Sequence, residues 1–199
     1  MAKIKYFSED EIQKFFSVVK KEKNVRDLLF FRLMYRYGLR LNEAVSIKLE
    51  DIKPDSKHPV EIQIRRLKGG QDRHYPIHPE DAKLLGRWLR KRAMFDNSYG
   101  NPYLFITARS MTSYMTDILV KKLHEKYCKL AGLAKEKWTN PHAWRHSTAV
   151  SLLLSGKDIY FVKNYLGHKS IQSALVYAEI APPEWKTLSK DAVYNSFTI

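Results

Sequence analysis

Val60-Glu61-Ile62-Gln63-Ile64, then Lys68-Gly69-Gly70-Gln71-Asp72, then Arg73-His74-Tyr75-Pro76-Ile77: these three segments decide the fold class. Apolar and polar side chains alternate in the first, the period of a half-buried strand, and the glycine pair in the second supplies a turn. Together they predict an antiparallel β-hairpin. Pro76 confines the second strand to a sheet edge, because proline has no N–H to offer a neighbouring strand. The chain on both sides of the hairpin has helical spacing, so the expected class is α+β, mainly α-helical with one small antiparallel sheet.

Towards the N-terminus, Ser8-Glu9-Asp10-Glu11 forms a capping-box pattern ahead of Ile12, Phe15 and Phe16 and predicts a helix starting there. Residues 26–37 carry Leu28, Leu29, Phe30, Phe31, Leu33 and Met34, a density that predicts a helix buried on most sides and stopped by Gly38, with a short helix following from Leu41. Beyond Pro79, the spacing of Ala82, Leu85, Trp88 and Leu89, and later of Met115, Ile118, Leu119, Leu123, Tyr127 and Leu130, predicts two amphipathic helices. Asn140-Pro141 is a cap and first-turn pair for a helix through His142 and Arg145 to about Leu154, ended by Gly156. Helical stretches over 158–166 and 171–180 complete one domain, residues 1–180, with 181–199 as a C-terminal tail. Trp185, Leu188, Val193, Tyr194 and Phe197 recur along that tail at spacings that suit a groove on a neighbouring subunit or on the same chain.

Hydrophobic residues make up 44% of the 199, charged residues 28%, and there are only 8 Gly and 8 Pro, which excludes disordered, collagen-like and low-complexity classes. Thirty-five Lys and Arg against 21 acidic residues give a net charge of +14, and this excess selects a polyanionic partner, double-stranded DNA ahead of an anionic membrane. The basic residues gather in Lys83, Arg87, Arg90, Lys91 and Arg92 and again in Lys121, Lys122, Lys126, Lys129, Lys135 and Lys137. Arg87, Arg90, Lys91, Lys121 and Lys122 are the candidate DNA contacts. Cys128 is the single cysteine, so no disulfide can form within the chain, and no apolar run has the length of a signal peptide or a membrane span. The expected location is cytoplasmic and DNA-associated.

Four separated pieces could carry chemistry. Arg40 follows a helix stop and has Glu43 one helical turn on, and Lys68 sits at the hairpin tip beside two flexible glycines. His142 and Arg145 share one face of a helix near its anion-favouring N-terminus. His168 lies in Leu166-Gly167-His168, nine residues before Tyr177. Each piece has an ordinary structural explanation by itself. His142 and His146 also have the spacing of a metal-binding pair, but neither the glutamate of a His-Glu-x-x-His site nor a third ligand accompanies them.

In this order and at these separations the pieces resemble the tyrosine recombinase (phage integrase) family over about residues 5–180. The family's catalytic domain carries an Arg, a Lys on a β-hairpin, a His-x-x-Arg, a His or Trp, and a nucleophilic Tyr, and here Arg40, Lys68, His142 with Arg145, His168 and Tyr177 match them in turn. The resemblance implies the DNA breaking-rejoining fold and cleavage through a 3′-phosphotyrosine at specific recombination sites, without metal or nucleotide cofactor. Arg40 and Arg145 would clamp the phosphate and Glu43 would orient Arg40. His142 would act as base, Lys68 as acid, and His168 would bond the phosphate. The resemblance further implies four protomers exchanging strands on DNA, with accessory DNA-bending or clamp proteins as possible partners. Members usually carry an N-terminal DNA-clamping domain; the matched region starts close to residue 1, which fits either a short form without the clamp, such as the fimbrial-switch invertases, or a piece of a longer chain. Two other functions stay open on the same residues: topoisomerase-like nicking and resealing, and a DNA-binding regulator without catalysis.

Overall fold

The structure, a computed structural model, describes residues 5–53, 60–66, 71–108 and 114–177. Lys68 and the tail from 181 lie outside the described residues. Eight helices surround a three-stranded antiparallel sheet within these segments, in the order α1 (Glu9–Lys21), α2 (Val25–Arg36), α3 (Leu41–Val45), β1 (Ile52–Lys53), β2 (Glu61–Ile64), β3 (Arg73–Pro76), α4 (Pro79–Ala93), α5 (Asp117–Leu130), α6 (Ala143–Leu154), α7 (Ile159–Leu166) and α8 (Gln172–Leu175). The α+β expectation holds.

The hairpin pairs Ile62 with Tyr75 and Ile64 with Arg73, so Ile62, Ile64 and Tyr75 turn inward. Sheet order is β1-β2-β3, which leaves Pro76 on an edge strand as its chemistry requires. The two-residue strand β1, pairing Ile52 with Ile62, was not foreseen, because a segment that short shows no period. At the base of the turn Asp72 accepts the Arg66 backbone N–H at 2.8 Å, which ties the two arms on either side of residue 68.

Ser8 and Glu11 form the reciprocal capping box of α1, with acidic residues in its first turn and lysines in its last. Gly38 ends α2 at φ +56°, and its missing side chain matters a second time: a Cβ there would run into Leu166 at the end of α7. The carboxyl ends of α2 and α7 can therefore meet, and the site is built where they do. Arg32 and Arg36 of α2 ion-pair with buried Asp81 in the first turn of α4 and fix the helix following the sheet.

The core centres on Trp144 of α6, fully buried and ringed by Phe7, Phe15, Phe16, Phe31, Tyr35 and His124 at centroid distances of 4.5–6.3 Å. Aromatic packing of this kind fixes the rotation of α6 about its axis. Regular helix starts at Ala143 rather than at Pro141, because Asn140 first makes a turn in which its Oδ1 accepts the His142 N–H at 3.2 Å and its carbonyl accepts the Ala143 N–H at 3.0 Å.

The inward face of α5 differs from the expected stripe. Val120, His124, Tyr127 and Cys128 are buried, whereas Ile118 and Leu130 are 62% and 54% exposed. His124 enters the core because its Nδ1–H reaches the Trp138 carbonyl at 2.8 Å while Cys128 Sγ lies 3.6 Å from Nε2, so the ring is satisfied while neutral. Arg92 also departs from its expected place in a basic surface cluster. It is buried and donates to the carbonyls of Asn101 and Tyr103.

Candidate active site

Glu43 is the centre of the site. Its carboxylate is buried in α3, where Oε1 accepts from Arg40 at 2.7 Å and Oε2 accepts from the Arg40 backbone N–H at 2.9 Å and from Arg66 at 2.6 Å. Arg145 lies 3.8 Å from Oε2. Burial alone would raise the pKa of this carboxyl, but Arg66, the bonds from Arg40 and the Arg145 charge together hold it below the ordinary carboxylate value. One anion thus organises three guanidinium groups, and the Arg40 side chain remains a third exposed while doing so.

Arg145, one residue past the core anchor Trp144, turns about 100° around α6 from the core into the site. It is 4% exposed and donates to the Gly38 carbonyl at 2.6 Å and the Leu166 carbonyl at 2.7 Å, the carboxyl ends of α2 and α7. Both helix ends present partial negative charge, so the guanidinium is held where burial costs it least. Desolvation, then the Arg40 and Arg66 charges, still lower its pKa to about 10, and it is a cation at neutral pH. Two of its five N–H donors serve the carbonyls, leaving others for an anion.

His168 follows the left-handed Gly167, and its backbone N–H closes α7 on the Lys163 carbonyl at 2.9 Å. Its Nδ1 is buried without a hydrogen-bond partner among the described residues, and its ring lies nearly parallel to Tyr177 with centroids 6.3 Å apart. Tyr177 is 3% exposed, packed with Ala149, Val162 and Leu166, and its hydroxyl meets His146 Nδ1 at 2.9 Å. Burial raises the phenol's pKa; Arg145 and Arg40 oppose that rise. His142 caps α6 at the exposed rim, its pKa lowered by desolvation and then by Arg145, Arg40 and Lys121.

The structure therefore brings together Arg40, Glu43, His142, Arg145, His168 and Tyr177. Lys121 acts electrostatically on His142 and so lies on the same side. Arg87 instead lines a groove of about 560 Å³ with Lys20, Lys23 and Lys83 between α2 and α4. Arg90, Lys91 and Lys122 are exposed. Among the described residues, no three His, Cys, Asp or Glu side chains gather as a metal site, and no helix is long and apolar enough to cross a membrane.

Sequence reasoning missed Arg66 and weighed His146 only as half of a metal-binding pair. The Arg66 side chain is wholly buried; besides Glu43 it donates to the Tyr75 hydroxyl at 2.6 Å and to the Tyr165 carbonyl, while Tyr75 itself bonds that carbonyl. A Cβ at Gly167 would come within 2.8 Å of Arg66 Nε, so glycine there also makes room for this cation. Arg66 joins the hairpin arm leading to Lys68, the carboxylate that orients Arg40, and the α7 end leading to His168.

The histidines give the protein a specific acid response. His124 and His168 both titrate at about 4 instead of 6.5, His124 through burial and His168 through desolvation followed by the charges of Arg145, Arg40 and Arg66. Between pH 6.5 and 4 the unfolded chain binds protons that the folded chain refuses, so stability falls as pH drops through this window and the histidine loss levels off below it. For fully buried His124 the loss is on the order of 3 kcal/mol. Histidine ring NMR should show both rings neutral until about pH 4, with the melting temperature falling across the same range; titration near 6.5 would contradict the burial described.

A mainly helical α+β domain with one small antiparallel sheet is the fold of solved tyrosine recombinase catalytic domains. The chain belongs to the phage integrase family, whose match covers residues 5–183. It is 32% identical over 183 residues to the tyrosine recombinase XerA of Pyrococcus furiosus, covering 92% of this chain and 59% of that protein. It is 26% identical over 180 residues to the type 1 fimbriae regulatory protein FimE of Escherichia coli K12, covering 89% of this chain and 86% of that one. The crystal structure of the XerH site-specific recombinase in a post-cleavage complex with palindromic difH substrate superposes with a TM-score of 0.78 at 25% identity, covering 92% of this chain and 52% of that one. The chain spans under two thirds of the length of the curated XerA relatives it matches.

Proposed function

We propose that this chain is the strand-transfer domain of a site-specific DNA recombinase that cuts and rejoins DNA through a 3′-phosphotyrosine on Tyr177. The observation that carries this reading is the pair Arg40 and Arg145, two guanidinium groups placed beside the carboxylate of Glu43 and both close enough to Tyr177 to oppose the rise that burial causes in its pKa. Planar, permanently charged donors at fixed spacing suit the two non-bridging oxygens of a phosphodiester and the charge that develops on them during in-line attack.

Tyr177 Oη attacks phosphorus and gives its proton to a neighbouring imidazole, the bond to the 5′ oxygen breaks, and that oxygen takes a proton from Lys68. His168 and His142 donate to the phosphate, His142 from the helix N-terminus where anions are favoured. Attack of a 5′-hydroxyl on the phosphotyrosine reverses the step, so the energy of the broken bond is conserved and no nucleotide cofactor is consumed. Arg87, Arg90, Lys91, Lys121 and Lys122 hold the flanking backbone, and four protomers complete the exchange.

Incubating the protein with a pool of nicked random-sequence duplexes, denaturing, and sequencing the DNA that stays attached tests this directly. Covalent attachment concentrated on one sequence is the expected result. Non-covalent binding should weaken by orders of magnitude between about 50 and 200 mM salt as bound counterions are released. Salt-sensitive binding without any attachment would leave the DNA-binding regulator in its place.

A further inference from the structure

We infer that His146 is the group that takes the Tyr177 hydroxyl proton when the phenol attacks phosphorus, an inference that rests on the strand-transfer reading above. His146 Nδ1 lies 2.9 Å from Tyr177 Oη, with ring centroids 5.6 Å apart and planes at 53°. Tyr177 is 3% exposed, so its hydroxyl proton passes most directly to the protein group it touches. His142, to which sequence order gives the role of base, stands at the exposed rim; the imidazole in contact with the hydroxyl belongs to His146, one helical turn further along α6.

The groups facing His146 keep it ready to accept. Arg145 and His142 neighbour it on α6, and Tyr177, with His168 stacked beyond, faces it from the segment following α8. Desolvation and then the charges of His142 and Arg145 lower the imidazole's pKa, which favours the uncharged ring at neutral pH, and in this role its proton sits on Nε2 so that Nδ1 accepts from the phenol. A phenol with a raised pKa would not give its proton to such a weak base in the ground state. As the Oη–P bond forms, the phenol's acidity rises steeply, and transfer to Nδ1 becomes favourable within the same step.

Atoms and charges balance. Oη bonds to phosphorus, its proton moves to Nδ1, the bond from phosphorus to the 5′ oxygen breaks, and the 5′ oxygen receives a separate proton from the acid. Rejoining returns the Nδ1 proton to the departing phenolate. Since Arg145 and His146 are consecutive on a helix locked by Trp144, the phosphate clamp and the proton acceptor keep a fixed spacing.

Two measurements decide the matter. In wild type without DNA, the His146 Nδ1 nitrogen should resonate as an unprotonated acceptor and shift in Tyr177→Phe; a protonated Nδ1 overturns the inference. In the capture experiment, His146→Gln keeps an acceptor oxygen but cannot take a proton. It should bind DNA normally and attach about 100- to 10,000-fold more slowly, with the wild-type dependence of rate on pH flattened. A 5′-bridging phosphorothiolate at the scissile phosphate, whose thiolate leaves without a proton, should not rescue it. Rescue would assign His146 to the leaving group, and attachment by His146→Gln at the wild-type rate would remove it from catalysis; either overturns the inference. If wild type itself attaches to no DNA, the strand-transfer reading falls and this role falls with it.

Discussion

Tyr177→Phe should bind DNA with wild-type affinity and form no covalent complex at all. The substitution removes one oxygen. The ring keeps its packing against Ala149, Val162 and Leu166 and its parallel contact with His168, so the fold loses only the hydrogen bond to His146, about 1 kcal/mol. Chemistry loses the atom that attacks, and phenylalanine offers nothing in exchange. Denaturing gels after capture, filter binding at matched salt and a thermal melt separate these effects. Attachment that persists in this variant would move the nucleophile to another of the chain's 12 tyrosines.

The arginines of the site do not share one kind of support, which explains how much of it could be read in advance. Arg40 with Glu43, and His142 with Arg145, are pairs three residues apart, and capping geometry at the start of α3 and helical spacing at the start of α6 set them side by side. Gly38 was legible as a helix stop, but not as the gap through which Leu166 reaches α2, because that contact joins residues far apart in sequence. Arg66 was illegible for a physical reason. A second arginine after Arg65 on a polar hairpin reads as surface, since burying a guanidinium is costly, and only the fold reveals that Glu43, Tyr75 and the Tyr165 carbonyl take up its two terminal nitrogens. Likewise His146 became meaningful only when folding brought Tyr177, 31 residues on, to its Nδ1. On α5, counting only aliphatic and aromatic residues rotated the expected stripe, because His124 is buried as a neutral ring and no hydrophobicity pattern marks it.

Arg145→Ala should reduce covalent attachment by about 100- to 1,000-fold or more even at saturating DNA, the size of effect expected when a preorganised charged donor is removed from a developing oxyanion. The site indicates that the loss has two sources. Without the guanidinium, the carbonyls of Gly38 and Leu166 lose their donor at the point where α2 and α7 meet, at a cost of about 1–3 kcal/mol for each acceptor left buried and unpaired. Part of any drop in activity is then a loosened site, and the thermal melt should register it. Arg145→Lys separates the two: it keeps the charge, but one ammonium cannot reproduce the planar fork that reaches both helix ends and a phosphate together. If position and fork geometry carry the effect, lysine should recover much of the stability and little of the rate. If charge alone carries it, lysine should recover most of both, and the two guanidinium groups around Glu43 would then be a source of positive potential rather than a fitted phosphate clamp.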